Sequence, residues 1–496
     1  MRKRKGLQIR RFSWLLPALI LASLTGILTY GIFFKIGTFW WDEATYLLLA
    51  KNFCYKHIFE TNPITSTVHQ EAFRPPFYPI LICLFSKATF GYRYINAYAL
   101  NFIEYLLTGI VLFLICKKLW DEKTGIFASI LFYANPLSIK WFPMALAEAT
   151  EAFISSLLLL SFIYSFEKGR QGKIASFFLP ILSALAFLTK YFLGLEGIFF
   201  LIFLFYIFKE RCKEKEKLNW AFSGVIVSFL ILIPWFVHSY RDYGSIFGTL
   251  KYNIYLVNVY GVLHHGGVKP WQYYFQNIWD VFNISLLALI PAFYCYLKSR
   301  KGSKEFYFYT ASFLYLVLFL ISMSFFIKIK TTRYLVAILP ILALLIAKGF
   351  DLAGNKNRVL RLLVLLYLAH LFMNFATLPK YTVWQKEGRQ NLLVAAKVIN
   401  MGKNVPGNIM SMEYPLFNLL TGRYVIWYPE NESKMLEMIK RYNVSFVVYD
   451  SYVNDPPWAL DYLNTHKNIF KLILENKTKQ GIVAVYLVNR TALERN

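Results

Sequence analysis

Residues 40–46, WWDEATY, place two carboxylates, Asp42 and Glu43, directly behind a pair of tryptophans and a few residues past a long apolar run. A carboxylate there can take a proton from a hydroxyl, and the tryptophan pair fixes it at lipid-headgroup depth. The structural alternative is that Asp42 caps a helix and Glu43 is a favourable first-turn charge, worth about 1 kcal/mol together. Consecutive helical residues point about 100° apart, so one acid can face a reactant while the other caps or orients. Asp42 is expected to be the base. FRPPFYP, residues 73–79, is the second such stretch: its prolines suit a stiff approach to a helix start, which would hold Arg74 for bidentate phosphate recognition as against ordinary snorkelling. Glu148 opens a later helix whose first turn also contains Glu151, a placement that the helix dipole alone would favour. KIKTTRY, residues 328–334, brings Lys328, Lys330 and Arg333 to a loop where an anionic head group could be held. His57 and the His264-His265 pair lack metal-ligand spacing.

The elements that must position these residues are membrane helices. Of the 496 residues 57% are hydrophobic and mean hydropathy is +0.42, and apolar runs of spanning length recur through the first three quarters of the chain. The formal charge of +26 sits largely in short clusters between those runs, at 117–123, 167–173, 209–217, 298–304 and 348–361. Retention of positive charge in the cytoplasm accounts for it, and a nucleic-acid partner is discounted. Placing every cluster inside requires even numbers of crossings between them. The predicted spans are 14–34, 94–115, 125–142, 148–166, 174–190, 191–208, 220–238, 278–297, 306–326, 334–348 and 359–376, about eleven helices with the N-terminus cytoplasmic. The run 77–90 is too short to cross, and both it and the segment after Asp42 are expected as interfacial or re-entrant helices.

Three extracytoplasmic stretches result: 35–93, 239–277 and 377–496. The last alternates strand-like and helical patterns, NIMSM, RYVIWY, SKMLEMIKRY, VSFVVYD and GIVAVYLV, so a small α/β domain is expected over 377–496 beside a membrane domain over 1–376. Four of the five N-x-[ST] sequons, at Asn431, Asn443, Asn476 and Asn489, fall in that domain. The five cysteines are scattered singly, which indicates neither a disulfide framework nor a zinc site. Nucleotide-binding, metalloprotease and serine-hydrolase signatures are missing. Acidic residues are scarce within the predicted helices apart from Glu104 and Glu196, which weighs against proton-coupled transport.

Outward-facing carboxylates and cations beside lipid suit a sugar carried on a polyprenyl phosphate. Such a donor already has a good leaving group, so cations must stabilise the departing phosphate and one carboxylate must deprotonate the acceptor hydroxyl. Glycosidases differ, since their two carboxyls act on a poor leaving group.

In order along the chain, WWDEATY, the RPPFYP motif, an acid at the start of a following helix and the late RY ahead of LVAILP resemble the C-type membrane glycosyltransferases. Within that group the similarity is to the branch of protein O-mannosyltransferases and the bacterial lipid A aminoarabinose transferase, over roughly residues 10 to 350. The resemblance implies inverting transfer from a polyprenyl- or dolichyl-phosphate sugar to a protein, lipid or glycan hydroxyl at the extracytoplasmic face. Asp42 matches the catalytic acid with Glu43 beside it, Glu148 matches a second acid, and Arg74 and Arg333 match contacts to the donor phosphate. Lys330 and Tyr334 flank Arg333 as further phosphate contacts, and Trp41, Tyr46, Tyr78 and His57 are candidate substrate contacts. No DxD-like pair is present, so a metal-independent enzyme without cofactor is expected. Two other classes compete: a lipid or polysaccharide transporter, and a binding protein whose outer domain acts on a membrane scaffold.

Overall fold

The structure is a computed structural model that describes residues 40–61, 73–89, 91–210, 215–260, 268–354, 390–429, 431–451, 455–478 and 481–494. Two of the expected spans, 14–34 and 359–376, and the His264-His265 pair lie outside the described residues. The chain forms two compact units.

The first unit, whose described parts are Phe73–Leu81 and 96–354, is helical. Six of its helical stretches are long and apolar enough to cross a membrane: Tyr94–Leu119, Arg170–Thr189, Tyr191–Phe208, Lys215–Tyr243, Lys304–Phe326 and Thr332–Leu352. The polytopic helical class expected from the sequence is thus present: nine of the eleven predicted runs fall on described residues, and six of them coincide with these stretches. The run 125–142 is two helices, Glu122–Tyr133 and Pro136–Trp141. Asn135 caps the second by accepting the Leu137 amide at 2.9 Å, and Pro136 cannot donate to a continuing helix. The run 278–297 is likewise interrupted, by a 3-10 segment at Asn283–Ala288 between Tyr273–Phe282 and Leu289–Lys298. Phe77–Ala88 is a 12-residue helix, short as expected.

Helix Arg170–Thr189 packs against Glu148–Ser165, Tyr191–Glu210 and Lys215–Tyr243. Gly224 lets the last of these approach closely, for a Cβ there would lie 2.1 Å from the Phe177 carbonyl oxygen. The outer side of Lys215–Tyr243 exposes Phe222, Ile226, Phe229, Leu230, Ile233 and Val237, a band suited to lipid and too large for a water-facing surface. At one end of the unit the basic clusters converge, with Glu167 joined to Lys118 at 3.0 Å and to Lys304. Glu167 follows the C-terminus of helix Glu148–Ser165, so Glu148 starts that helix at the opposite end, about 27 Å away along 18 residues.

The second unit joins 40–61 and 82–95 to the C-terminal part of the chain. Its sheet has the order β2-β1-β3-β5-β4, with β1 Asn408–Met410, β2 Val425–Ile426, β3 Val444–Asp450, β4 Phe470–Thr478 and β5 Gly481–Val488. The first three strands run parallel and β5 is antiparallel to both β3 and β4. The expected α/β fold is therefore present. Met410, Ile426, Met435, Ile439, Val447 and Ala484 form its core.

Helix Trp41–Lys56 packs on helix Tyr414–Thr421 of this unit. Residues 43 to 50 are all buried, whereas Tyr55 and Lys56 at the end of the helix are exposed. Its N-cap is Trp40, and Asp42 occupies the first turn. Cys54 and Cys83 form a disulfide with Cα atoms 5.4 Å apart, which corrects the expectation of unpaired cysteines. The bridge joins Trp41–Lys56 to Phe77–Ala88 across 29 residues, a pairing that no local spacing announces.

Candidate functional site

In the membrane unit the sequence builds a charged centre from three separate segments, with a fourth fastened beside it. The first is the loop 142–147, tied down by Asn101 of helix Tyr94–Leu119, whose side-chain amide donates to the carbonyls of Met144 and Leu146, the latter at 3.0 Å. That loop delivers Glu148 and Glu151 to the first turn of their helix, both fully buried. The second is a one-residue turn. Helices Arg170–Thr189 and Tyr191–Glu210 are separated only by Lys190, which adopts an extended backbone and cannot project along either helix. Lys190 Nζ donates to Glu148 Oε1 and to Glu151 Oε2, each at 2.6 Å. The third is the 3-10 segment Thr332–Ile338, begun by Thr331, whose hydroxyl accepts the Arg333 amide at 3.3 Å. It places Arg333 Nε 2.8 Å from Glu148 Oε1, with the guanidinium carbon 6.0 Å from the Trp141 ring centroid. Side-chain exposures are 1% for Glu148, 0% for Glu151, 8% for Lys190 and 16% for Arg333. The fourth segment carries Arg74. The Phe73 carbonyl accepts the hydroxyl of Tyr191 at 2.6 Å, which fastens the Arg-Pro-Pro stretch beside the Lys190 turn.

Buried charges at a membrane depth are retained only when paired. Two carboxylates facing two cations meet that condition. Glu148 is held by both Lys190 and Arg333. Lys330, expected beside Arg333 as a phosphate contact, is buried, and its ammonium donates to the Lys269 carbonyl at 3.0 Å; loss of hydration lowers its pKa. It pins one loop to another. Tyr334 stacks edge-on against Phe192, 5.5 Å between centroids, two residues from Lys190. Tyr78 is completely buried.

In the second unit Glu43 Oε2 accepts the Trp40 amide at 2.9 Å. This is the reciprocal half of a capping box. Asp42 is half-buried and Glu43 fully buried. Trp41 meets Tyr414 edge-on at 4.9 Å. Tyr46 is buried core. His57 is exposed and ends the helix with φ 56° and ψ 26°, a left-handed C-cap conformation.

Lys190 is the residue that sequence reading missed. Its signal was a lone lysine between two apolar helices on the side where positive charge is not retained. Among the described residues no group of three His, Cys, Asp or Glu side chains is arranged to hold a metal.

The helical unit and the appended α/β unit have the fold of solved C-type membrane glycosyltransferases, in agreement with the motifs read from the sequence. More particularly, residues 73–238 match the family described as dolichyl-phosphate-mannose-protein mannosyltransferase. ArnT from Cupriavidus metallidurans, in a crystal structure bound to undecaprenyl phosphate, is similar with a TM-score of 0.66 and 12% identity over 96% of this chain and 98% of that one. Its apo structure gives 0.65 and 13% over the same shares. The archaeal oligosaccharyltransferase AglB from Archaeoglobus fulgidus, in complex with an inhibitory peptide and a dolichol-phosphate, gives 0.60 and 12% over 97% of this chain and 75% of that one. Among curated protein sequences nothing matches the chain.

Proposed function

We propose that the protein transfers a sugar from a polyprenyl- or dolichyl-phosphate carrier to an acceptor hydroxyl at the extracytoplasmic membrane face, with inversion at the sugar's anomeric carbon. The observation that carries this reading is the buried pairing of Lys190 and Arg333 with Glu148 and Glu151, within a fold shared with proteins whose structures hold undecaprenyl phosphate or dolichol-phosphate. In this reading the acceptor oxygen attacks the anomeric carbon while the bond from that carbon to the phosphate oxygen breaks. The phosphate leaves with the bonding electrons and the acceptor proton passes to Asp42. Lys190, Arg333 and Arg74 supply the positive charge that stabilises the phosphate, so the reading requires no metal and no cofactor. Asp42 is chosen over Glu43 because the latter is committed to the Trp40 amide, and over Glu148 because that carboxylate is held by two cations.

The test is transfer of label from a radiolabelled polyprenyl-phosphate hexose in membranes, comparing the unaltered chain with Asp42→Asn at equal folded amount. Removal of a general base costs roughly 10²- to 10⁴-fold in rate, so label is expected to reach acceptor only with the unaltered chain. Equal transfer by both would remove Asp42 as base.

A further inference from the structure

We propose that Ser155 is a positioning residue for the cation pair: its hydroxyl ties together the segments that deliver Glu148 and Glu151, Lys190, and Arg333, and so fixes where the two cations meet the carrier phosphate. The inference rests on the reading of Lys190 and Arg333 as the phosphate site. Ser155 lies about one helical turn beyond Glu151, on the same face of helix Glu148–Ser165 and about 6 Å along it. Its hydroxyl oxygen is 2.7 Å from Glu196 Oε1 and 3.3 Å from the Ala337 carbonyl oxygen, so its one hydrogen is shared between two acceptors. Glu196 belongs to the helix that opens immediately after Lys190, and Ala337 to the 3-10 segment that carries Arg333. Ser155, Glu196 and Ala337 are all completely buried.

Both cation-bearing segments need such a tie. A 3-10 helix has poorer hydrogen-bond geometry than an α-helix, and the one over Thr332–Ile338 is anchored at its start by the Thr331 hydroxyl. Toward its other end, the residue three beyond Ala337 is Pro340, which has no amide hydrogen. The 3-10 bond that the Ala337 carbonyl would accept is therefore missing, and the Ser155 hydroxyl is what reaches that carbonyl. Lys190 is a single extended residue between two helices, so its backbone moves with the start of helix Tyr191–Glu210. Ser155 holds that helix through Glu196, in its second turn. Groups that bind or react must be kept within about 0.5 Å of their productive placement, and a tie one turn from the charged centre restrains both cations at once.

The experiment compares two radiolabelled ligands that share a lipid tail and differ at the phosphate, each bound at equilibrium to the folded full chain in lipid nanodiscs. Polyprenyl phosphate is a monoester carrying about −1.5 to −2 charges near pH 7, and polyprenyl-phosphate hexose is a diester carrying one. The ratio of their dissociation constants follows the placement of the cations, whereas a merely structural role would change the folded amount and leave the ratio alone. Ser155→Ala is expected to reduce the preference for the monoester roughly 2- to 10-fold, the range for loss of one hydrogen bond. Glu196→Leu is expected to reduce it likewise, and Glu196→Gln, which keeps an acceptor oxygen for Ser155, to restore it. An unchanged preference in Ser155→Ala would overturn the proposal, as would equal losses in Glu196→Leu and Glu196→Gln. Should Ser155→Ala not fold, Ser155→Cys, a weak donor of similar size, is read in the same way. Binding of both ligands with an unmoved ratio contradicts only the positioning role. Binding of neither ligand by the unaltered chain contradicts the phosphate site itself, and the positioning role with it.

Discussion

The acids at the start of helix Glu148–Ser165 and those at the start of helix Trp41–Lys56 look alike in sequence, and the structure gives them opposite environments. Glu148 and Glu151 are sealed among cations delivered from distant segments. Glu43 turns back onto its own backbone and leaves Asp42 half-buried beside it. In the proposed reaction the locked pair positions the cations and Asp42 takes the acceptor proton. Acid residues in a first helical turn therefore say little about role until their partners are known.

The sharpest way to break this contrast is Lys190→Met. It would strand Glu148 and Glu151 without their shared ammonium, and unpairing a buried charge costs roughly 3–5 kcal/mol. A large fall in thermal stability in detergent is expected, together with loss of donor binding; an unchanged melting temperature would mean that the ion pairs do not hold the site. Next in size is the Cys54–Cys83 bridge. Closing a loop of this length contributes about 2–4 kcal/mol, so Cys54→Ser should lower the denaturation midpoint of the full chain, and reductant should lower it in the unaltered protein but not in the variant.

Asp455 offers a contrast in pH. Burial and its neighbours Asp450 and Glu413 push its carboxyl up to about 9, although it accepts the Asp450 amide at 2.5 Å. Because the folded value lies above the ordinary one of 3.8, its contribution is fully present below the unfolded value and is lost as pH rises from there through the folded value. Stability of the full chain should decline over that window and Asp455→Asn should flatten the decline, as read by denaturation at a series of pH values. The smallest expected effect is Glu43→Ala, which removes one half of a capping box and costs about 1 kcal/mol. Transfer should fall by a few-fold at most, since Asp42 remains; a loss as large as that expected for Asp42→Asn would move the base to Glu43.

Much of this was legible in the sequence because it depends on local pattern. The basic clusters, placed on one side by counting crossings, do converge, with Lys118 and Lys304 meeting on Glu167, and the strand-like runs after residue 407 do form a sheet. The Asn135-Pro136 break is also a local signal, but the apolar residues on either side read as one run. What escaped was long-range. Lys190 finds its acids 39 and 42 residues earlier in the chain, and Cys83 lies 29 residues from Cys54. Neither partner can be inferred from spacing, because both depend on which turns the helix packing brings together. Lys330, a ligand candidate for its place in a basic loop beside Arg333, proves to be buried and to donate to the Lys269 carbonyl, a contact that no spacing announces.

The division of labour between the two sets of acids is tested most directly by measuring donor binding and sugar transfer on the same preparation of Asp42→Asn, with radiolabelled polyprenyl-phosphate hexose. If the cations hold the carrier phosphate and Asp42 takes the acceptor proton, the variant will bind donor as the unaltered chain does and transfer at least roughly 10²-fold more slowly. Undiminished transfer, or loss of binding with the fold intact, would contradict that division.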